Sequence, residues 1–362
     1  MKWMAVLTGL TMLVLTCAPT FAAQEAIAEA EARLAKGEFD AALDAANKAV
    51  KAAASNPEAH LCRFHVYVAR AQDEDALNDI NRVITLAPGN AKYLTARAEL
   101  HVARAEYDAA LKDLNAALAT DETYLPAVLL RADTYLGSRS LDKALADANR
   151  AVELVPENAE ARVVRSRVLL ALGEQNGARA DLVKATTLNP QSVSAWLDLA
   201  HHDLFLKDDA AAAIEAIDKA LALSQENVSA ICLRAMARRR VGDEVGALAD
   251  VDRALTLEPN CVLAFYVQAT LKRSTEKYAE AVASVRRGLE IDPANAACLG
   301  LLNEMRTTDT SRLMDEAQAF LDEGKLDEAA ERVRKALEID PSSVAFNEAL
   351  IIIEAQREKS NR

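Results

Sequence analysis

Residues 230–259 read AICLRAMARRRVGDEVGALADVDRALTLEP. Apolar residues recur at helical spacing on both sides of Gly242-Asp243, and Pro259 closes the second run. Two short amphipathic helices joined by a tight turn account for that pattern; a strand would alternate instead. The same markers return along the chain. Prolines stand at Pro88, Pro156, Pro190, Pro259, Pro293 and Pro341, separated by 34 residues, by about twice that, or by 34 plus 14. An alanine lies twelve residues before each of them: Ala76, Ala144, Ala178, Ala247, Ala281 and Ala329. Gly173, Gly242 and Gly324 precede their alanines by five, as Gly37 precedes Ala42. A period of this size marks a repeat architecture, in which one helix pair cannot bury its apolar face alone and stacks on its neighbours.

The unit resembles the tetratricopeptide repeat. That family's small residue at position 8, Gly at 15, Ala at 20 and 27 and Pro at 32 fall on Ala235, Gly242, Ala247, Ala254 and Pro259, and Trp196 stands at the aromatic position 4 of another unit. The resemblance implies an all-α fold, a right-handed superhelical α-solenoid of stacked antiparallel helix pairs. It covers nine units: 23–56, 57–90, 91–124, 125–158, 159–192, 193–227, 228–261, 262–295 and 310–343. Several are irregular. Phe64 takes a small position, while Glu122 and Gln225 replace the proline. The RNA-reading pentatricopeptide repeat has a period of 35 and fits less well. Residues 296–309 read as an unpaired first helix, stopped by Thr307, Thr308 and Asp309, which would cap the next unit. Residues 344–358 read as a terminal capping helix with a frayed tail to 362.

Composition agrees. Of 362 residues 51% are hydrophobic but only 4% aromatic, so the apolar mass is Ala, Leu and Val, suited to close-packed helices. The net charge of −13 disfavours nucleic acid, which needs a basic face. Residues 1–22 read as a secretory signal peptide: Lys2, an apolar run over 4–16, then small residues up to Ala22. The apolar run is short of the roughly 20 residues that span a bilayer. The expected location is therefore exported, periplasmic or secreted. Lipid attachment at Cys17 is the rival, and would make the chain a tethered or self-associating assembly subunit of the cell envelope. Cys62, Cys232, Cys261 and Cys298 lack metal-ligand spacing and read as small apolar fillers. If any two pair, Cys261 with Cys298 is the expected pair.

Comparing units with one another exposes a charge pattern. Position 7 is Arg63, Arg97, Arg131, Arg165 and Arg234, and position 23 of the same units is Asp79, Asp113, Asp147, Asp181 and Asp250. In the last unit the signs reverse to Glu316 and Arg332. An ion pair between the two helices of each repeat explains both facts, with Arg supplying a planar fork for a carboxylate.

Phosphate loops, nucleotide fingerprints and nucleophile elbows are absent from the sequence, and its five His form no helical ligand pair. The reading is therefore not an enzyme, with no cofactor and no metal. In the family that the sequence resembles, first helices line a concave peptide-binding surface. Carrying its contact positions over gives an acidic first half (Glu31, Glu99 and Asp133 at position 9) and a basic region in units seven and eight. Phe205, Met236, Arg239, Arg240, Tyr266 and Arg273 are expected to receive an acidic or extended segment of a partner protein. The Lys and Asn pattern of chaperone-tail clamps is missing. The function implied is an exported scaffold or adaptor for protein–protein interaction.

Overall fold

The structure is a computed structural model, and it describes residues 21–360. Most of the expected signal peptide, Cys17 included, lies outside the described residues. The chain divides into two compact units, one ending at Leu188 and the other beginning at Asn189.

The first unit contains α1 (21–35), α2 (Phe39–Ala52), α3 (Pro57–Ala69), α4 (Asp73–Leu86), α5 (Ala91–Ala103), α6 (Tyr107–Thr120), α7 (Leu125–Gly137), α8 (Leu141–Leu154), α9 (Ala159–Ala171) and α10 (Gln175–Leu188). The second contains α11 (Val193–Phe205), α12 (Ala210–Leu223), α13 (Val228–Arg240), α14 (Glu244–Leu257), α15 (Val262–Ser274), α16 (Tyr278–Ile291), α17 (Ala296–Glu304), a π turn at Met305–Asp309, α18 (Thr310–Asp322), α19 (Leu326–Ile339) and α20 (Val344–Ser360). The described residues contain no strand. Within each unit, from α3 to α16 each first helix packs on the second helix of its own repeat, and that one packs on the first helix of the next; α18 packs on α19 in the same way. The fold is all-α, built of stacked antiparallel helix pairs.

Local chemistry sets the boundaries. Asn56, Asn90, Asn158, Asn227 and Asn295 cap the first helices by accepting a hydrogen bond from a backbone N–H of the opening turn. These caps sit two residues beyond the proline position, a signal that the sequence reading passed over. Each helix pair turns through one residue in the left-handed region. It is glycine in some repeats, such as Gly242 at φ 81°, but Ala71, Ala105, Arg139, Asp208 or Glu276 in others. The connecting turns also leave a carbonyl to satisfy. After Pro156 and Pro190 it accepts from Arg162 and from the Trp196 indole, six residues on. Where proline is replaced by Glu122 or Gln225, the carbonyl accepts instead from Arg150 or Arg253, both at 2.7 Å.

The core is made of small side chains. Ala235, Ala247 and Ala254, the small positions of the best-preserved repeat, are fully buried. Alanine there lets two helix backbones approach closely, and the longer Leu, Ile and Val side chains fill the space between successive pairs.

Two sets of sequence expectations are corrected. Thr307, Thr308 and Asp309 do not end a helix. The chain runs from α17 through the π turn into α18 without a break, and Asp309 keeps helical angles with no capping bond. The reason is local. The Thr307 and Thr310 hydroxyls donate back to the carbonyls of Asn303 (3.0 Å) and Arg306 (2.6 Å), so they bond within the helix rather than cap a new one. The π turn absorbs the extra residues and buries Met305 completely. The tail, expected to fray from 358, is helical to Ser360.

The second correction concerns the cysteines. Cys62, Cys232, Cys261 and Cys298 are all free and buried, so Cys261 and Cys298 are not paired. The Cys298 sulfur lies against Gly288, where an added Cβ would come within 3.0 Å of it. Cys261 instead neighbours Cys232, whose thiol is pushed up to about 12 by burial and then by Cys261. Burial pushes Cys62 up to about 11 from 9.0. Because these thiols hold their protons more tightly in the folded state, the stability this confers is present below the ordinary thiol range. It is lost as pH rises toward 11–12. An aromatic disulfide reagent at pH 8 is expected to leave the Cys62, Cys232, Cys261 and Cys298 thiols intact in the native chain and to modify each of them in denaturant. Chemical denaturation should show stability declining above pH 9. Rapid native labelling of Cys62 or Cys232 would refute the burial.

Candidate functional site

The repeated charges come together first. The Arg63 guanidinium donates from Nε and Nη2 to the two oxygens of Asp79 at 2.7 and 2.8 Å. Arg97 with Asp113, Arg131 with Asp147, Arg165 with Asp181 and Arg234 with Asp250 repeat this fork at 2.6–2.9 Å. Glu316 and Arg332, the reversed pair, approach to 3.1 Å. All five aspartates are buried, none more than 6% exposed. Hydrogen bonding to the carboxylate raises the pKa of Arg63, Arg97, Arg131, Arg165 and Arg234 above the ordinary arginine range.

The third arm of each fork reaches the preceding repeat. Nη1 donates to Asn47, Asn81, Asn115, Asn149 and Asp218, in each case sixteen residues upstream. One guanidinium therefore links three helices, its own and the second helices of two successive repeats. The asparagines carry the same period in the sequence and could have been found with it. In the eighth repeat, where Gln268 and Ser284 replace the charges, a neutral 2.8 Å hydrogen bond stands in their place.

The six residues expected to receive a partner do not form one surface. Five of them divide between two clefts of the second unit, and Arg240 lies outside both. The first, about 360 Å³, is apolar and lies across α11, α13 and α15, lined by Leu197, His201, Phe205, Leu233, Met236 and Leu263 with Asp198 and Ser229 at its edge. Phe205 is 37% exposed and Leu263 41% exposed, while Met236 is half-buried against the core of its repeat. The second, about 430 Å³, is polar. Arg239 from α13 meets Tyr266, Thr270 and Arg273 from α15 there, opposite Glu304 and Asp309 at the π turn and Arg312 from α18.

Most of the expected positive charge is already matched. Arg273 forks onto Asp309 (Nε–Oδ2 2.6 Å) and reaches Glu304 at 2.9 Å. Its pKa is raised by those carboxylates, Asp309 first. Arg240 lines neither cleft; it is exposed, pairs with Asp208 at 2.7 Å, and stacks its guanidinium 5.3 Å from the Phe205 ring. Arg238 is held by Asp250 at 2.8 Å. Arg239 differs, since its Nε is buried without a hydrogen-bond partner. The described residues show no group of His, Cys, Asp or Glu arranged to hold a metal ion, and no helix long and apolar enough to cross a membrane.

These features define a helical-repeat protein whose exposed chemistry lies on first helices. Tetratricopeptide-repeat models match residues 129–191, 263–295 and 314–360. The matched stretches are tetratricopeptide repeats. No curated protein matches it. Among solved structures it is similar to a tetratricopeptide repeat protein from Parabacteroides merdae, with TM-score 0.53 and 18% identity over 68% of this chain and 97% of that one. It is also similar to pilF of Pseudomonas aeruginosa (TM-score 0.49, 18% identity, 59% of this chain and 97% of that one). A third is a thermophilic tetratricopeptide-repeat protein of Thermus thermophilus (TM-score 0.46, 23% identity, 51% of this chain and 100% of that one). The first of these supports the fold alone.

Removing one arm of a buried fork leaves a carboxylate unpaired, which costs about 3–5 kcal/mol. Arg131→Glu is therefore expected to lower the urea midpoint sharply, and adding Asp147→Arg to recover part of the loss. A double variant no more stable than the single one would show that the pair does not hold these helices together.

Proposed function

We propose that this protein is an exported, non-catalytic adaptor that holds an extended, acidic segment of a partner protein against the first helices of its second unit. The carrying observation is the apolar cleft. Three neighbouring first helices leave Phe205, Leu263 and the edge of Met236 open to water and bring them together around one concave apolar surface. A cleft of this size and character suits one or two large apolar side chains, with the rim groups orienting the segment. Membership in a family of interaction repeats supports a protein partner. The amino terminus supports export: a basic residue, an apolar run and small residues are read by the secretory machinery.

The test is selection of a displayed random-peptide library on the full chain. Peptides carrying a large apolar residue are expected to be enriched, and Leu263→Glu, a change at an exposed position, to abolish that enrichment while leaving the melting temperature unchanged. Enrichment that survives Leu263→Glu would move the site elsewhere. Export has its own readout. Mass spectrometry of the chain from its native cell is expected to find a new amino terminus at Ala23, and a retained Met1 or a lipid on Cys17 would overturn soluble export.

A further inference from the structure

We propose that the polar cleft binds an Asp or Glu side chain of the partner segment, and that Arg239 alone supplies the charge that recognises it. The inference rests on the reading that a segment lies on these first helices. It assigns the acid to one residue among the several cations nearby.

The charge balance of the cleft singles that residue out. Arg273 is matched by Asp309 and Glu304. Arg312 is matched by Glu316 at 2.7 Å and also donates to the Tyr278 hydroxyl at 2.6 Å. Arg332 and Lys335 converge on Glu276 at 3.0 and 2.7 Å, which holds its carboxyl below the usual range, Lys335 first. Arg239 forms no ion pair among the described residues, and its buried Nε donates to nothing. An unpaired buried donor costs free energy that water does not return. A carboxylate entering the cleft would satisfy that donor and match the charge in one planar contact. The neighbouring hydroxyls offer no rival cation, and those of Thr270 and Ser274 already donate to the carbonyls of Val267 and Leu271.

Spacing couples the two clefts. Leu233 and Met236 line the apolar one and Arg239 the polar one, three to six residues along the same helix. At 1.5 Å per residue that is about 4.5–9 Å along α13. An extended segment rises about 3.3 Å per residue and presents alternate side chains to one face. The recognised segment therefore carries its acid two positions from its apolar residue.

The experiment uses the same library, displayed so that no peptide has a free carboxyl terminus, on the full chain and on Arg239→Met. Wild type is expected to enrich Asp or Glu two positions from the apolar residue, and Arg239→Met to keep the apolar residue and lose the acid. By fluorescence anisotropy an enriched peptide should bind Arg239→Met roughly 10- to 100-fold more weakly. Arg239→Lys, which keeps the charge but not the fork, should fall between. Apolar peptides without acid enrichment, or acid enrichment that persists in Arg239→Met, would overturn the assignment to Arg239 and leave the apolar cleft standing. Peptides insensitive to Leu263→Glu would instead remove the binding surface on which it rests.

Discussion

Close approach of paired helices at alanine is the constraint from which the rest follows. A side chain that ends at Cβ lets two backbones come near, and Ala235 with Ala247 and Ala254 is buried completely at that contact. Near approach fixes the register of the pair. The register in turn places position 7 opposite position 23, close enough for a guanidinium to fork onto a carboxylate at 2.6–2.9 Å. Wider separation would strand five buried aspartates. The packing and the ion pairs are therefore one device: the alanines set the distance, and the forks penalise any slippage along the helix axis.

The third arm extends that device beyond a single repeat. By donating to Asn47, Asn81, Asn115, Asn149 or Asp218, each arginine ties its own pair to the one before. In a repeat array stability is approximately a sum of terms within repeats and between nearest neighbours. A group that acts in both terms couples them, so a change at position 7 is felt in two repeats. At the sixth unit position 7 is Leu199, and position 25 of the preceding unit is Val183. Neither residue can take part in a fork.

What was legible in the sequence was whatever repeats. Proline, alanine and the position 7 and 23 charges recur every 34 residues, and the helix pairs follow that period. Comparing units even exposed the reversed charges of Glu316 and Arg332, because a swap is visible only against a pattern. Features outside the period were read less well. Thr307-Thr308-Asp309 has the composition of a stop, yet whether threonine caps a helix or bonds back within it depends on the preceding turn, which no local pattern records. Arg239, Arg240 and Arg273 are alike as letters. Their separate fates depend on Asp208 lying beside one and Asp309 beside another, 32 and 36 residues away in the chain.

The eighth repeat shows how a lapse in the pattern creates an opening. There the charged fork is replaced by Gln268 and Ser284, a neutral pair that needs no countercharge. The arginine of that helix lies further along, as Arg273, and its carboxylate comes from the π turn rather than from its own repeat. The uninterrupted helix over 296–322 is what brings Asp309 there, since an interrupted one would have used the aspartate as a cap. That pairing keeps Arg273 neutralised, and Arg273, Glu304 and Asp309 together line the 430 Å³ cleft. Its wall toward α13 is Arg239, whose buried Nε has no hydrogen-bond partner. The cleft is thus built from a regular seventh repeat on one side and the insertion on the other, and only the insertion side brings its own carboxylates.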